Sequence, residues 1–135
     1  MVRASNFLRF VELDEFRRDW QSLGLSIEHD LWDLQVQIMD NPAAASVVRG
    51  TGGLRKLRFS PRSWNKGKSG AVRVCYVYFV EHRMVLLIMA YAKARKESLD
   101  DSEKREIQVY LQTCKTWLDK QNRRKDREHG KEKDE

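Results

Sequence analysis

The stretch AVRVCYVYFVEHRMVLLIMAY, Ala71 to Tyr91, decides the fold. Ala71 to Val80 is rich in β-branched and aromatic residues, and Met84 to Tyr91 is a second such run. Both compositions suit a pleated strand. Glu81-His82-Arg83 between them is short enough to be a hairpin turn, so the two strands are expected to pair antiparallel. Just upstream, Leu54-Arg55-Lys56-Leu57-Arg58-Phe59 reads as another strand. Its period of two places Lys56 and Arg58 on one face and Arg55, Leu57 and Phe59 on the other. Pro61 to Gly70 is a polar loop. Sequential strands joined by short connections make an antiparallel meander.

Earlier in the chain, Phe7 to Leu13 alternates well enough for a short strand. Leu13, Phe16, Trp20 and Leu23 then fall at helical spacing, and Gly24 offers a left-handed stop. Ser26 is placed to cap a second helix with Glu28 and Asp30 in its first turn. Ile27, Leu31, Leu34 and Ile38 form its apolar stripe, widened by Trp32, Val36 and Met39, and Asn41-Pro42 ends it. Trp20 and Trp32 both sit on these faces and are read as core. At the other end, Asp100 or Ser102 caps a helix in which Ile107, Tyr110, Leu111, Cys114 and Leu118 recur at helical spacing. The expected class is α+β: a small antiparallel sheet, two N-terminal helices packed on one face, and a C-terminal helix. Residues 1–120 are expected to form a single domain. Gln121 to Glu135 holds no Val, Ile, Leu or aromatic residue and is expected to be a charged, disordered tail.

The net charge of +6 is unevenly spread. Residues 1–48 hold four Lys/Arg against eight Asp/Glu, whereas residues 49–73 hold eight Lys/Arg and no acid. The remaining segments, 74–120 and 121–135, each come to +1. A solvated lysine-rich face is normally interleaved with carboxylates. An acid-free block repels itself unless it meets a polyanion, which points to nucleic acid or an acidic partner.

Several function classes drop out. Cys75 and Cys114 are too few for a disulfide framework and lack metal-ligand spacing, so both are read as buried or half-buried thiols. The longest uncharged apolar run, Met84 to Ala92, is nine residues, too short for a membrane span. No signal-peptide pattern precedes it, and a reducing compartment, most simply the cytoplasm, is expected. Gly67-Lys68-Ser69 lacks the Walker glycine, because Arg62 stands in its place, and a strand rather than a helix follows. His29, His82 and His129 fall on a helix, a turn and the tail, so no zinc site and no cofactor is expected. His82 is read as an exposed, idle turn residue.

A cation-rich sheet poor in histidine suits cleavage of an RNA phosphodiester by the adjacent 2′-hydroxyl. That reaction needs a base at the hydroxyl, cations on the pentavalent phosphate and an acid for the leaving oxygen. Arginine supplies fixed bidentate donors for phosphate, and a lysine crowded by other cations can lose its proton and act as base. Electrostatic RNA binding without catalysis is equally compatible with these residues.

The ordered blocks RGTGGLRKLRF (Arg49 to Phe59), GKSGAVRVCYVY (Gly67 to Tyr78) and MVLLIMAYAKARKESL (Met84 to Leu99), preceded by Asn41-Pro42, resemble RelE/HigB-type toxins of toxin–antitoxin systems. The Gly-Thr-Gly-Gly-Leu-Arg-Lys run is most similar to the HigB-like branch. The resemblance implies a metal-independent endoribonuclease that cuts messenger RNA on the ribosome and is neutralised by a cognate antitoxin of helix-turn-helix type. It carries catalytic roles onto Lys56, Arg58, Arg73 and Lys93, and supporting RNA contacts onto Arg55, Lys66, Lys68 and Arg95. Where some RelE proteins have a tyrosine after the last basic cluster, this chain has Leu99. Tyr91 is the available substitute, although a strand aromatic also suits packing. Two alternatives stay open: a ParE-like protein acting on DNA gyrase without nuclease activity, and a non-catalytic RNA- or ribosome-binding module.

Overall fold

The computed structural model describes residues 7–64, 71–92 and 99–133, with side chains as far as Arg127. In chain order it runs β1 (Arg9–Glu12), α1 (Asp14–Ser22), a π-helical turn (Ile27–Leu31) leading into α2 (Trp32–Asp40), β2 (Ser46–Val47), β3 (Arg55–Phe59), β4 (Val72–Phe79), a 3-10 turn (Val80–His82), β5 (Met84–Ala92) and α3 (Asp101–Lys133). The α+β architecture expected from the sequence is present. The strands form one sheet in the order β1-β5-β4-β3-β2. From β2 to β5 every pairing is antiparallel. Only β1 joins parallel, against β5, making the sheet mixed at that edge. The parallel pairing is possible because α1, the α2 unit and the meander intervene, giving the chain room to return in the same direction.

Strand β4 is central, and both its faces are buried. One face of the sheet presents Val72, Val74, Tyr76, Val85, Leu87 and Ala90, which pack with Phe16 and Trp20 of α1 and Leu34 and Ile38 of α2. The opposite face presents Cys75, Val77, Leu86 and Ile88, which pack with Leu111, Ile107 and Cys114 of α3. At the β4–β5 seam, Cys75 faces Met89 while Tyr76 faces Leu87, so Ile88 is an extra residue in β5. The bulge lets Ile88 and Met89 both lie on the α3 side. Asp19 of α1 reaches this region and accepts the Ala90 backbone N–H at 3.0 Å.

Local signals account for most boundaries. Gly24 takes φ +71° after α1, as its position predicts. The Ser26 hydroxyl accepts the N–H groups of His29 and Asp30, and Asp30 accepts the Ser26 N–H in return. Trp20 is buried and its indole N–H donates to the Ser26 carbonyl at 2.9 Å. Trp32, expected in the core, is instead 50% exposed. Within the regular helix it shares with Leu34 and Ile38, Trp32 lies well round from the buried stripe. The π-helical turn instead displaces Ile27, the first expected member of that stripe, which is 64% exposed. Leu118 is buried, but Asn122 to Arg127 are exposed. The helix nevertheless continues to Lys133, where the sequence predicts disorder. No helix among the described residues is long and apolar enough to cross a membrane.

Tyr76 ties the sheet to the chain leaving α2. Its ring is buried, and its hydroxyl donates to the Pro42 carbonyl at 2.7 Å. Burial pushes the phenol up from its ordinary value, with nearby Arg55 pulling it down. A raised folded-state value means that this contribution to stability is complete below about pH 10 and is lost as pH rises further. Tyr76→Phe is expected to cost about 1 kcal/mol at neutral pH. Urea midpoints for the two proteins should converge above about pH 10, where the wild-type phenol, unlike phenylalanine, must ionise on unfolding.

Candidate nucleic-acid interface

The antiparallel register of three strands builds a cationic row. Arg58 of β3 lies opposite Arg73 of β4, and Arg73 lies opposite Tyr91 of β5. Directly opposed residues share a face, so these three side chains stand side by side on the α3 face of the sheet. Lys56, two residues from Arg58, lies opposite Cys75 on the same face. Its ammonium sits over the Tyr91 ring, 5.9 Å from the centroid. Val72 and Val74, flanking Arg73, point the other way and are fully buried.

Exposure differs along the row. Arg58 is exposed, while Lys56, Arg73 and Tyr91 are half-buried. Among the described residues, no carboxylate pairs with Arg58 or Arg73. Arg73 Nη1 is buried without a hydrogen-bond partner. An N–H of a permanent cation left unsatisfied in this way has a strong preference for an anionic oxygen. The contacts of α3 fall farther along the sheet. Lys104 lies against Gly50, Gln108 against Gly52, and Leu111 within the second core, at whose edge Tyr91 and the buried Leu99 also pack; none of these contacts falls on Arg58 or Arg73.

Other members of the basic block are spent on structure. Arg55 lies opposite Tyr76, on the α1–α2 face, and its guanidinium donates to the Ala43 and Ala45 carbonyls at 3.0 and 2.7 Å. It therefore braces the loop after α2, on the face away from the row. Arg62 makes a two-pronged ion pair with Asp33 of α2, both bonds 2.6 Å. The Arg62 hydrogen bond holds the Asp33 carboxyl below the usual carboxylate range. The block that is free of acids in sequence is thus partly neutralised in space. Lys66, Lys68, Lys93 and Arg95 lie outside the described residues.

The GTGG run is a scaffold rather than part of the row. Gly50, Gly52 and Gly53 all take positive φ. Thr51 between them is fully buried, with its hydroxyl donating to the Val48 carbonyl at 2.6 Å and accepting the Leu54 N–H at 3.0 Å. This clamp sets where β3 begins, and with it the register of Lys56 and Arg58.

A second polar cluster lies beyond the far end of β4. His82, expected to be exposed and idle, has a side chain only 7% exposed. Its Nε2 is 2.9 Å from Asp119 Oδ1 and its Nδ1 is 3.0 Å from Asn122 Nδ2, both partners on α3. Glu81, His82 and Asp119 bring ligand-type atoms within 4.8 Å of one another and are the described residues suited to hold a metal ion. Asp119 and Asn122 stand three apart on one helix, a spacing visible in the sequence; their meeting with a turn 37 residues away is not. An open groove of about 380 Å³ between this end of β4 and α3 is lined by Gly52, Val77, Phe79, His82 and Gln108, and by none of Lys56, Arg58 or Arg73.

No family model matches the chain. Among solved structures, it is similar to an Escherichia coli toxin RelE carrying two arginine-to-alanine substitutions, in the free state. The TM-score is 0.50 at 18% sequence identity, covering 77% of this chain and 96% of that one. The fold is RelE-like. Nearly the whole of that toxin is thus matched, and the row described above lies within the RelE-like sheet.

The row makes a stability prediction. Two guanidinium groups opposed on adjacent strands repel, and one of them holds an unsatisfied buried N–H. Arg73→Met keeps the aliphatic stem and removes both penalties, and should raise stability by about 1 kcal/mol. A urea titration measures it; a lowered midpoint would mean that Arg73 is needed for the fold.

Proposed function

We propose that this chain is a RelE-type toxin, nearest the HigB-like branch: an endoribonuclease that cleaves messenger RNA on the ribosome and is held inactive by a cognate antitoxin of helix-turn-helix type. Residues 1–120 form the toxin domain, with 121–135 as an appended charged segment, and the protein works in the cytoplasm. The observation that carries this reading is the cross-strand row of Arg58, Arg73 and Tyr91 with Lys56 over the ring. The RelE-like fold supports it.

In this reading the scissile phosphate docks on Arg58 and Arg73, whose buried Nη1 gains the acceptor it lacks. The 2′-hydroxyl loses its proton to a base and attacks phosphorus. Charge builds on the phosphate oxygens, where fixed guanidinium donors stabilise it more than they stabilise the diester. The bond to the 5′-oxygen then breaks, and that oxygen takes up a proton, leaving a 2′,3′-cyclic phosphate and a 5′-hydroxyl. Lys56 and Lys93 are the candidate proton carriers. The Tyr91 ring offers a stacking surface for a neighbouring base, in place of the aromatic that Leu99 does not provide. In this reading the steps draw on cations alone; the metal-capable cluster at His82 lies at the opposite end of β4 from Arg73. Lys66, Lys68 and Arg95 add phosphate contacts, while Arg55 acts indirectly by bracing the loop after α2.

Cleavage of a messenger during in vitro translation tests the proposal. Arg73→Ala should slow cutting about 100-fold or more while the urea midpoint is retained or raised. Cleavage at the wild-type rate by that variant, or inhibition of gyrase supercoiling without RNA cutting, would overturn the assignment. Ribosome or RNA affinity should also fall steeply as salt rises, and Arg58→Ala should flatten that slope by about one counterion.

A further inference from the structure

Helix α3 carries two apolar faces, and the sheet uses only one. Leu111 and Leu118 are buried against the body of the protein. On the other side Val109, Tyr110 and Trp117 are 67%, 43% and 58% exposed. At 100° per residue these three, with Thr113 between them, lie within one face of the helix together with Glu106 and Lys120. The Thr113 hydroxyl donates to the Val109 carbonyl at 2.9 Å, so its polar group is satisfied within the helix. A solvated helix face would carry charges at these central positions, and here they stand only at the ends.

We propose that this face is the interface of a homodimer, in which α3 packs antiparallel against α3 of a second copy and the two cross at Thr113. The sequence of the face is complementary to itself in that one direction. Val109 and Tyr110 of one helix meet Thr116 and Trp117 of the other. Seven residues either side of the crossing, Glu106 meets Lys120 of the second copy, and the two-fold axis repeats the pair. Parallel packing would instead set Glu106 on Glu106 and Lys120 on Lys120. Thr113, with Thr116 one of the two smallest side chains of the face, falls at the crossing, where the backbones come closest. Antiparallel pairing also opposes the dipoles of the two helices, which parallel pairing would align side by side. The proposal does not depend on the nuclease reading, since the seam lies on the side of α3 away from the sheet.

A seam of about four helical turns is small for a specific interface, so the dimer should dissociate in the micromolar range. Sedimentation equilibrium of the full chain from about 1 to 100 µM should show a monomer–dimer equilibrium of that strength. Trp117→Ala, which removes an exposed side chain, should leave the circular dichroism spectrum and urea midpoint in place and make the chain monomeric over that range. E106K and K120E, each putting like charges together twice, should weaken association about tenfold or more, and the double variant E106K/K120E should restore it. A chain that stays monomeric at about 100 µM, a dimer indifferent to Trp117→Ala, or single swaps that the double variant fails to rescue would each overturn the proposal.

Discussion

Two arginines face each other across adjacent strands, Arg58 on β3 and Arg73 on β4. Left to itself, a two-stranded ribbon with that pairing would slip or separate, because like charges directly opposite destabilise the ladder. The rest of the molecule supplies what holds the register. Slipping β4 by one residue would turn Val72, Val74 and Tyr76 out of one core and Cys75 and Val77 out of the other. Burial on both faces makes that slip far more costly than the repulsion. The arginine pair is therefore a local conflict that a two-sided core can absorb, and such conflicts concentrate where a protein meets its ligand.

The start of β3 needs its own anchor, since a charged strand supplies little hydrophobic force of its own. The Thr51 clamp provides it, closing Val48 and Leu54 around one buried hydroxyl. Glycine suits Gly52 because its φ is +76°, and the position lies against the Gln108 side chain on α3, which a Cβ would meet in ordinary contact at 3.4 Å. The loop is thus fitted to α3, which is in turn seated on the second core. A glycine-rich run beside a basic strand invites a reading as a phosphate loop. In this protein it serves as the hinge-pin from which the basic strand starts.

Features governed by near neighbours in sequence were readable beforehand. The alternation in Leu54 to Phe59 gave the right face to Lys56, Arg58 and Arg55, and Ser26 and Gly24 marked helix ends by chemistry local to a few residues. Features that depend on distant partners were not. Asp33 finding Arg62, and Asp119 with Asn122 finding His82, join residues tens of positions apart, and nothing in either local pattern signals the meeting. Strand β2 is two residues long and has no period to detect. Ile27 is turned out of its stripe by the π turn at Ile27–Leu31, which no local pattern marks, while Trp32 lies on the flank of a regular α2 whose partners leave that flank open. The charge of 49–73 is undivided in sequence, but in space Arg62 pairs with Asp33 and Arg55 bonds the loop after α2, pairings that no local pattern announces.

Helix α3 is what allows the row to be rigid. Without it, Cys75, Val77, Leu86 and Ile88 would be an exposed apolar sheet face, and β4 would be held from one side only. By packing on the far part of that face and tying its Asp119 and Asn122 to the β4–β5 turn through His82, it buries the sheet at one end and leaves the cations at the other. A phosphate site made of long, flexible side chains gains specificity only if their backbones do not move, since each guanidinium must already point where charge will develop. Here that pre-organisation comes from strands braced on both faces. The same helix runs on past Leu118 with exposed Arg123, Arg124, Lys125 and Arg127, sustained by its own hydrogen bonds rather than by any core. The chain thus holds its cations in two settings: Lys56, Arg58 and Arg73 in a sheet braced on both faces, and Arg123, Arg124, Lys125 and Arg127 on a helical segment whose own acids bring 121–135 to a net of +1, too little for strong long-range attraction.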